Sequence, residues 1–568
     1  MTTPRPWGTL DPFLERGDML GRMEANAGFL TALLDADPFD AYHFYLASPH
    51  DRDALAKTLG TLRPDLRDTG RLKFLTRLDL LDGLRRHEYA AFHLSDCITF
   101  PAHLARLRNL LARDIFPITS VTHSLSYSRF SQGFLMHLWS GTTPRDAVVA
   151  TSTAAVAAVR EFYAYLAEGY LPPGSPLWPP PGCPRVERVP LGIDVSTFAP
   201  ASEPQRREAR AGLGIPLDAT VFLIFGRISH SSKLDPLPVL RAFQRLAAER
   251  DRPAASPPCL VMAGWTEEGS KGLIRALSDL ASGIGLEFRC FLRPDEAEKR
   301  RIFMAGDVFV SPVDNLQETF GLSILEAMAC GLPVVASDFD GYRDLVVHGE
   351  TGYLVPTTGP GATPVLDALA PLCFDNHSHL ARAQQCVVDV PDLARFLGEL
   401  ARDPGLRGEM GRAGRRRVER RFSWAGVIGR YVALWERLRS EPVPDREGLR
   451  SVAHPLHIPY GRVFGGHPSG VVDLDLMVTA SRAGQAVYRG LDAFVSYEGL
   501  GPLLDLETAK RLLFLARSPL SVGELARGLL RLEPALDWEG AVFRILWALK
   551  QDYLERVVEK SGPEPDDR

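Results

Sequence analysis

The chain is poor in cysteine and lacks both a long apolar run and an excess of positive charge. Its seven cysteines among 568 residues are an odd number without C-x-x-C spacing, which disfavours a disulfide framework and a zinc site. No stretch is apolar for long enough to cross a bilayer, and Met1–Asp11 lacks the apolar core of a signal peptide. We therefore expect buried, reduced thiols and a cytoplasmic location.

Charge and length set further limits. The formal net charge of −5 disfavours nucleic acid and anionic membranes as partners. A basic run, Arg415–Arg421, is typical of a solvated helix face, although peripheral contact with lipid headgroups stays open. A chain of 568 residues, 45% of them hydrophobic, exceeds what one core usually holds, so we predict two or three globular domains.

Residues 219–356 alternate short apolar segments with amphipathic ones. Unbroken apolar segments indicate strands buried on both faces, and hence a parallel sheet covered by helices. The predicted strands are Val221–Phe225, Leu260–Ala263, Leu286–Phe291, Val308–Val310, Val334–Ala336 and Gly352–Val355. Ligands of such sheets bind at the carboxyl ends of the strands, so we look for a site in the loops there.

The first 190 residues show the same pattern less cleanly. The predicted strands are Tyr42–Leu46, Leu72–Leu75, Ala91–Leu94, Pro117–Val121, Ala147–Ala150 and Val186–Val189. A Pro-rich insert, Leu171–Pro184, is expected to be an exposed loop. Near the start, Trp7–Glu15 makes a poor strand, and the glycine-containing segment Gly17–Glu24 precedes a predicted helix over Ala25–Leu34.

An acidic loop is the most informative feature of the second half. Glu318 and Glu326 flank Gly321, between the apolar strands of Asp307–Pro312 and Pro333–Ser337. The start of the intervening helix offers free N–H groups and a positive dipole end to a phosphate. Glu318 can accept hydrogen bonds from sugar hydroxyls, and Glu326 can accept them from a ribose. The segment thus suits a sugar that is attached to a diphosphate.

A second loop carries positive charge directly after the first strand of this region. Gly226 and Arg227 follow the strand, and Lys233 lies six positions beyond Arg227. A nucleoside diphosphate is a good leaving group only if its growing negative charge is stabilised. A guanidinium and an ammonium group can provide this stabilisation. These two charges can stabilise the leaving group in place of a metal ion, so we expect no metal and no other cofactor.

Together the two loops resemble the Gly-Arg-x5-Lys and Glu-x7-Glu signatures of retaining GT-B glycosyltransferases of family 4, the glycosyl transferases group 1 type. The resemblance implies an α/β, GT-B fold, in which two Rossmann-like, doubly wound domains face each other across a cleft. We expect a first, acceptor-side domain over 1–195, completed by a crossover helix at about 424–440. The second domain, which binds the nucleotide sugar, is expected over 205–423.

The resemblance also implies the role of each site residue. Arg227 and Lys233 stabilise the leaving diphosphate, Glu318 binds the sugar hydroxyls, and Glu326 binds the ribose hydroxyls. His123, after the Pro117–Val121 strand, is placed near the sugar C6 hydroxyl and completes the catalytic set. The implied donor-binding residues are Gly21, Gly226, Arg227, Lys233, Glu318, Phe320, Gly321, Leu322 and Glu326.

Two segments depart from the family pattern. The family usually begins with an apolar strand and a Gly-Gly turn, whereas here Gly21 is the candidate turn glycine after a poor strand. The stretch Ser337–Asp344 departs from the usual Gly-Gly-x-Pro-Glu, and we expect a loop that faces the cleft with an unknown role.

Residues 441–568 lie beyond the family's usual end. Glu441–Gly470 is rich in Pro, Gly and His and is expected to be a linker or an irregular lead-in to a further domain. The segments that follow predict a small, mainly helical domain, loosely similar to a winged helix. They are helices over Leu506–Ala516, Val522–Leu530 and Ala541–Leu554, a capping box of Ser521 with Glu524, and a short strand at Val557–Val558.

The sequence therefore predicts a metal-independent hexosyltransferase that moves a hexose from a nucleoside-diphosphate sugar to an acceptor hydroxyl with retention. The acceptor, a glycan, a lipid or a small molecule, is not determined. Two alternatives stay open: a nucleotide-sugar sensor with a DNA-binding C-terminal module, and a GT-B epimerase or phosphorylase. The sensor is disfavoured because the helix Ala541–Leu554 carries no basic stripe.

Overall fold

The structure is a computed structural model that describes residues 5–14, 21–170, 182–248, 257–266, 270–373, 375–497, 500, 504–534 and 536–557. The chain divides into two compact units, Met1–Leu456 and His457–Arg568. The first unit holds two parallel sheets with flanking helices, which confirms the predicted fold class of two Rossmann-like domains. Among the described residues, no helix combines the length and the apolar character that crossing a membrane requires.

The first domain is built on a sheet to which seven of the described strands contribute, all paired in parallel. The strands are β1 (Trp7–Thr9), β2 (Tyr42–Leu46), β3 (Leu72–Thr76), β4 (Ala91–Leu94), β5 (Ile118–Val121), β6 (Asp146–Ala150) and β7 (Arg185–Arg188). The helices are α1 (Gly21–Ala36), α2 (Pro49–Leu62), α3 (Pro64–Asp68), α4 (Leu80–Arg86), α5 (Pro101–Leu111), α6 (Phe130–His137) and α7 (Thr153–Tyr170). The strand order β3-β2-β1-β4-β5-β6-β7 reverses between β1 and β4, where ligands of doubly wound sheets bind.

The expectation that Trp7–Glu15 makes a poor strand was wrong for its first residues. Strand β1 is central, since it pairs with β2 on one side and with β4 on the other. All three of its residues are buried, and a Cβ on Gly8 would lie 2.5 Å from the ring of Phe92. A three-residue strand that contains a glycine is too short to show an apolar run. Tertiary packing rather than intrinsic β propensity stabilises it.

The second domain repeats the same winding. Its parallel sheet has the order β10-β9-β8-β11-β12-β13 and reverses between β8 and β11. The strands are β8 (Thr220–Phe225), β9 (Pro258–Gly264), β10 (Glu287–Leu292), β11 (Val308–Ser311), β12 (Val334–Ser337) and β13 (Gly352–Val355), with a separate antiparallel pair of β14 (Thr357–Thr358) and β15 (Val387–Val388). The helices are α8 (Glu203–Leu213), α9 (Leu237–Ala248), α10 (Ser270–Gly283), α11 (Glu296–Ala305), α12 (Leu322–Ala329), α13 (Tyr342–Leu345), α14 (Pro364–Leu369), α15 (Asp375–Ala383), α16 (Val390–Arg402) and α17 (Pro404–Arg421).

The chain then returns to the first domain through helix α18 (Trp424–Ser440). The indole N–H of Trp435 donates to Thr119 Oγ1 of β5 at 2.8 Å. The apolar face of α18 shares one core with β1, β2 and α1 through Val427, Ile428, Tyr431, Leu434, Trp435 and Leu438. The first domain is therefore discontinuous in sequence.

Residues 441–456 also pack on the first domain, where the sequence suggested a linker. Helix α19 (Arg446–Ser451) contacts α5, and its Leu449 is buried. The Arg446 guanidinium donates to the carbonyl oxygens of Ala112 and Arg113, and His454 Nε2 lies 2.8 Å from the carbonyl oxygen of Met136. The compact unit thus ends at Leu456 rather than near 441. The amino-acid composition of residues 441–456 does not reveal this packing, because polar groups that donate to backbone carbonyl oxygens make most of the contacts.

The basic run of α17 is not simply a solvated face. Arg416 is exposed, but Arg415 donates to the carbonyl oxygens of Phe198 and Ala329 at 2.6 and 2.8 Å. Arg417 likewise donates to Leu345 and Asp344 carbonyl oxygens, at 2.7 Å in each case. These side chains bridge helix ends and loops, so the expectation was wrong for these two arginines.

The second unit holds an antiparallel sheet of order β17-β16-β18 against helices. Its elements are α20 (Tyr460–Val463), β16 (Met477–Ala480), α21 (Arg482–Tyr488), α22 (Leu506–Leu515), β17 (Leu520–Ser521), α23 (Val522–Leu532), α24 (Trp538–Lys550) and β18 (Leu554–Arg556). The predicted capping box of Ser521 and Glu524 is present. The sequence missed β16 and α21, and α24 ends earlier than expected because strand β18 begins at Leu554; Val558 lies outside the described residues.

Candidate functional site

The two sheets of the first unit face one cleft, a cavity of about 990 Å³. Every residue that the sequence predicted for the site lies on its walls: Gly21, His123, Gly226, Arg227, Lys233, Glu318, Phe320, Gly321, Leu322 and Glu326. The second domain contributes the loops after β8 and β11, which flank the point where its strand order reverses. The predicted residues are thus brought together, although they are spread over 300 positions of the sequence.

The acidic loop ends in a conformation that requires glycine. Gly321 caps α12 with φ of 105°, and a Cβ there would lie 2.5 Å from the ring of Tyr342. Helix α12 begins at Leu322 directly on the cleft wall. The first N–H groups of a helix have no intrahelical partner, so this end offers donors and a positive dipole end to an anion.

Glu318 is held by a set of donors around a single carboxylate. Its Oε2 forms an ion pair with Lys233 and lies 3.3 Å from the hydroxyl of Tyr342, which also bonds Ser311 Oγ at 2.8 Å. The backbone N–H groups of Thr319 and Phe320 reach Oε1 at 3.2 Å. Burial would raise the pKa of Glu318, but Lys233 and these N–H groups outweigh it, so the pKa is lowered and the group is a carboxylate.

The Gly226–Lys233 loop is pressed against the end of β9. A Cβ on Gly264 would lie 1.7 Å from the carbonyl oxygen of Gly226, so the two strand ends approach closely only with glycine there. The backbone N–H of Lys233 donates to the carbonyl oxygen of Ser229 at 3.0 Å, which folds the loop back towards the cleft. Arg227 lines the cleft, and no carboxylate among the described residues pairs with it.

Glu326 is not a free carboxylate on the cleft wall. It is 3% exposed, and its Oε1 lies 2.6 Å from Nζ of Lys299, on α11. The same ammonium group lies 3.1 Å from Oε1 of Glu24, on α1 of the first domain. The three side chains line the cleft together, so an ionic cluster, in which Lys299 and Glu326 are buried and Glu24 is exposed, joins the two domains at the predicted ribose position.

His123 follows β5 on the opposite wall. Its Nε2 lies 2.8 Å from the carbonyl oxygen of Ser95, so Nε2 carries the proton and Nδ1 is an acceptor. Burial lowers the pKa of His123 to about 4, which keeps the ring neutral near pH 7. A neutral ring at this place can accept a hydrogen bond from a hydroxyl group.

Gly21 is the first residue of α1 and lies on the cleft wall. A Cβ there would meet no atom within 4 Å, so space does not require glycine at this position. The preceding part of the predicted glycine loop, which contains Gly17, lies outside the described residues.

The departing stretch Ser337–Asp344 packs under the acidic loop. A Cβ on Gly341 would lie 2.4 Å from the carbonyl oxygen of Thr319, which makes glycine necessary for this contact. Burial and the nearby Glu318 carboxylate raise the pKa of Asp340 to about 7. Asp344 reaches the first domain instead, where it accepts from the N–H and the hydroxyl of Thr153, at 2.5 and 2.8 Å.

A second contact between the domains involves α15. His379 is buried; its Nδ1 accepts from Gln317 Nε2 at 2.7 Å, and its Nε2 lies 3.0 Å from the carbonyl oxygen of Ser126. Close by, Asp375 Oδ1 accepts from the N–H of Ser128 at 2.9 Å. Gln317, the residue before Glu318, is thus connected through His379 to the loop that follows His123.

Sequence reasoning missed Lys299, Glu24, Tyr342 and His379, because the fold rather than a local motif brings them to the site. Lys299 lies in a charged segment whose composition is typical of a solvent-exposed helix, and nothing in that segment distinguishes Lys299 from its charged neighbours. Within the residues that the structure describes, no three His, Cys, Asp or Glu side chains converge as metal ligands would. The cysteines are all free thiols.

Fold and cleft together define the first unit as a two-domain α/β body of the GT-B type, in which the loops after β8 and β11 of the second domain line the cleft. Residues 219–369 match the family model described as "Glycosyl transferases group 1". The chain is 33% identical over 285 residues to D-inositol 3-phosphate glycosyltransferase of Xylanimonas cellulosilytica, covering 49% of this chain and 55% of that protein. The enzyme of the same name from Kineococcus radiotolerans is 32% identical over 264 residues, covering 46% and 54%.

The chain thus spans about half the length of the curated relatives it matches. Among solved structures, the Anabaena protein HepE in complex with UDP and glucose is 16% identical, with a TM-score of 0.48, covering 76% of this chain and all of that one.

Proposed function

We propose that the chain is a retaining glycosyltransferase that moves a hexose from a nucleoside-diphosphate sugar to an acceptor hydroxyl without a metal ion. The observation that carries the proposal is the arrangement at the ends of β8 and β11. There Arg227, without a carboxylate partner among the described residues, and Lys233 lie on the same wall as Glu318 and the start of α12. The acceptor is a glycan, a lipid or a small molecule.

The diphosphate would bind where the positive charges converge. The Arg227 guanidinium supplies a planar fork of donors, and the N-terminus of α12 supplies N–H groups and a positive dipole end. Lys233 is paired with Glu318. Its ammonium group lies at the end of a flexible side chain, so this group can bridge Glu318 and a phosphate oxygen when the donor enters.

The reaction needs no protein nucleophile. The acceptor oxygen forms a bond to the anomeric carbon while the bond from that carbon to the diphosphate oxygen breaks. The electron pair of the broken bond stays on the leaving phosphate, and the acceptor proton passes to a phosphate oxygen on the same face. The protein positions the reactants and stabilises the charge on the leaving group.

Glu318 and His123 would hold the sugar from two sides. Glu318 is a carboxylate with its orientation fixed by Tyr342 and two backbone N–H groups, so it can accept from sugar hydroxyls. The neutral His123 ring can accept a further hydroxyl through Nδ1. The similarity to inositol-phosphate glycosyltransferases supports sugar transfer, and it leaves the donor base and the acceptor open.

The test is release of nucleoside diphosphate from a panel of UDP-, GDP- and ADP-sugars, in the presence of EDTA. We expect slow release from one donor by the wild type and none by Glu318→Ala. Glu409→Ala, which removes an exposed carboxylate on α17, serves as the matched control and should keep the wild-type rate. The configuration of the product, read by NMR once an acceptor is found, should match that of the donor.

Each part of the proposal can fail separately. Loss of release in EDTA would contradict metal independence, and an inverted product would contradict retention. Isomerisation of the nucleotide sugar without an acceptor would indicate an epimerase. A reaction that depends on inorganic phosphate would indicate a phosphorylase. Nucleotide binding without turnover, together with a salt-dependent gel shift on duplex DNA, would favour the sensor.

A further inference from the structure

We propose that Lys299 is a positioning residue for the nucleotide ribose, because its ammonium group holds one oxygen of the Glu326 carboxylate and fixes the direction of the other. The inference rests on the proposed function, in which Glu326 accepts hydrogen bonds from the ribose hydroxyls. It adds a residue on a different helix that no motif of the sequence indicates.

The geometry fixes the Lys299 ammonium group from several sides. Nζ lies 2.6 Å from Oε1 of Glu326 and 3.1 Å from Oε1 of Glu24, and the Lys299 side chain is 2% exposed. It also lies over the rings of Phe198 and Phe225, 5.2 and 5.5 Å from their centroids. A lysine normally moves among many rotamers, but here packing and charge leave it little freedom.

One oxygen of Glu326 is thereby committed to the protein. Lys299 donates to Oε1, and the Glu24 carboxyl group also lies within hydrogen-bonding reach of the Glu326 carboxyl group. Because Lys299, Glu24 and Glu326 all line the cleft, a ligand in the cleft can reach this cluster. A carboxylate with one oxygen fixed presents the other in a defined direction, which is what the recognition of a vicinal diol needs.

The charge of Glu326 also depends on Lys299. Burial raises the pKa of Glu326 to about 8; Lys299 acts against that rise, and Glu24 adds to it. The carboxylates in turn raise the pKa of Lys299, although burial alone would lower it. The charged or titratable groups around the pair are Glu24 on α1, Glu296 on α11, Cys330 after α12 and Arg415 on α17. Without Lys299, Glu326 would keep its proton to a higher pH.

The experiment measures how well the full chain distinguishes a ribose from a deoxyribose. Binding of UDP, GDP and ADP, and of the 2′- and 3′-deoxy forms of whichever binds, is followed by calorimetry at several pH values. Above pH 8, where Glu326 of the wild type has lost its proton, we expect the wild type to prefer the ribose form by about tenfold, the value of one hydrogen bond to a charged group. In this pH range Lys299→Met should lose most of the preference, and Lys299→Arg should keep most of it.

The pH profile separates positioning from a merely structural role. In Lys299→Met we expect the preference for ribose to reappear only at higher pH, with its midpoint shifted upward by about one unit or more. The double variant Lys299→Met/Glu326→Gln should show no such recovery. Lys57→Met, at an exposed position on α2, is the control and should behave as the wild type.

The outcomes distinguish the two proposals. If the wild type binds none of the three nucleoside diphosphates, the proposed function fails and this inference fails with it. If the wild type binds and prefers ribose but Lys299→Met prefers it equally at every pH, only the role of Lys299 is overturned. Should Lys299→Met not fold, by circular dichroism and melting temperature, Lys299→Gln tests the charge alone, since it keeps a donor. Its preference for ribose should then recover only at a higher pH than in the wild type, and an unchanged pH profile would overturn the role of Lys299.

Discussion

At the scale of single residues, the cleft contains paired opposite charges. Lys233 holds Glu318, and Lys299 holds Glu326, so each carboxylate of the acidic motif has its own lysine. The pairs differ in environment, because Glu318 has a lowered pKa and Glu326 a raised one. Arg227 stands apart as a cation that has no carboxylate partner among the described residues, which leaves it for a ligand.

Arg227→Ala should therefore lower turnover of the donor by about 10²–10³-fold, the range seen when one preorganised donor to a developing negative charge is removed. Arg227→Lys should restore part of the rate, because it returns the charge but not the planar fork. Steady-state release of nucleoside diphosphate measures both variants. Arg416→Ala, which removes an exposed arginine of α17, is the control; equal rates in Arg227→Ala and Arg416→Ala would contradict a role in leaving-group stabilisation.

The residues of the site divide by how far the sequence can reveal them. Arg227, Lys233, Glu318 and Glu326 stand in local motifs, so their common location on one cleft could be predicted. Lys299 could not, because its neighbours in sequence are charged and its partners lie on α12 and α1, brought together by folding alone. The roles of all these residues remain predictions until turnover is measured.

At the scale of elements, burial decides which strands the sequence reveals. The six strands predicted for the second sheet are present; five of them are mostly buried between the flanking helices, whereas β10, at the edge of the sheet, is only partly buried. Strand β1 escaped detection although it is equally buried, since three residues cannot show a run. In the second unit, β16 was missed because Met477–Ala480 alternates buried and less buried residues between polar segments.

Helix α18 is the element whose loss should matter most to the first domain. Leu438 is fully buried in the core that α18 shares with α1 and β2, so Leu438→Ala should lower the free energy of unfolding by about 2–5 kcal/mol. Urea unfolding followed by tryptophan fluorescence measures the change. Glu436→Ala, on the exposed face of the same helix, should stay within about 0.5 kcal/mol of the wild type. Similar losses in both variants would contradict the packing of α18 on this core.

At the scale of the whole first unit, further polar contacts besides the Lys299–Glu24 ion pair tie the two domains together across the cleft. The second domain contributes Asp344, Asp375 and His379, and the first contributes Thr153 and the loop of residues 126–128. Thr153 is the first residue of α7, so an aspartate of one domain caps a helix of the other.

Asp344→Ala should therefore loosen the first turn of α7, even though the substitution is in the other domain. We expect backbone amide exchange at residues 153–156 to accelerate by about fivefold, corresponding to the loss of roughly 1 kcal/mol of capping. Hydrogen exchange with mass spectrometry on the full chain measures it. Ser152→Ala, which removes the local cap, should give a comparable acceleration, and the exposed Glu350→Ala should give none. Unchanged exchange in Asp344→Ala would mean that the domains are apart in solution.

The return of α18 to the first domain has a consequence for how the protein is made. The ribosome synthesises residues 1–200 first, yet the core around β1 and α1 lacks six of its apolar side chains until Leu438 has emerged from the exit tunnel. The second domain, which is continuous in sequence, can complete its core earlier. Vectorial folding usually favours the N-terminal domain. For the two domains of the first unit we expect the reverse order, so that the domain translated first matures after the one translated second.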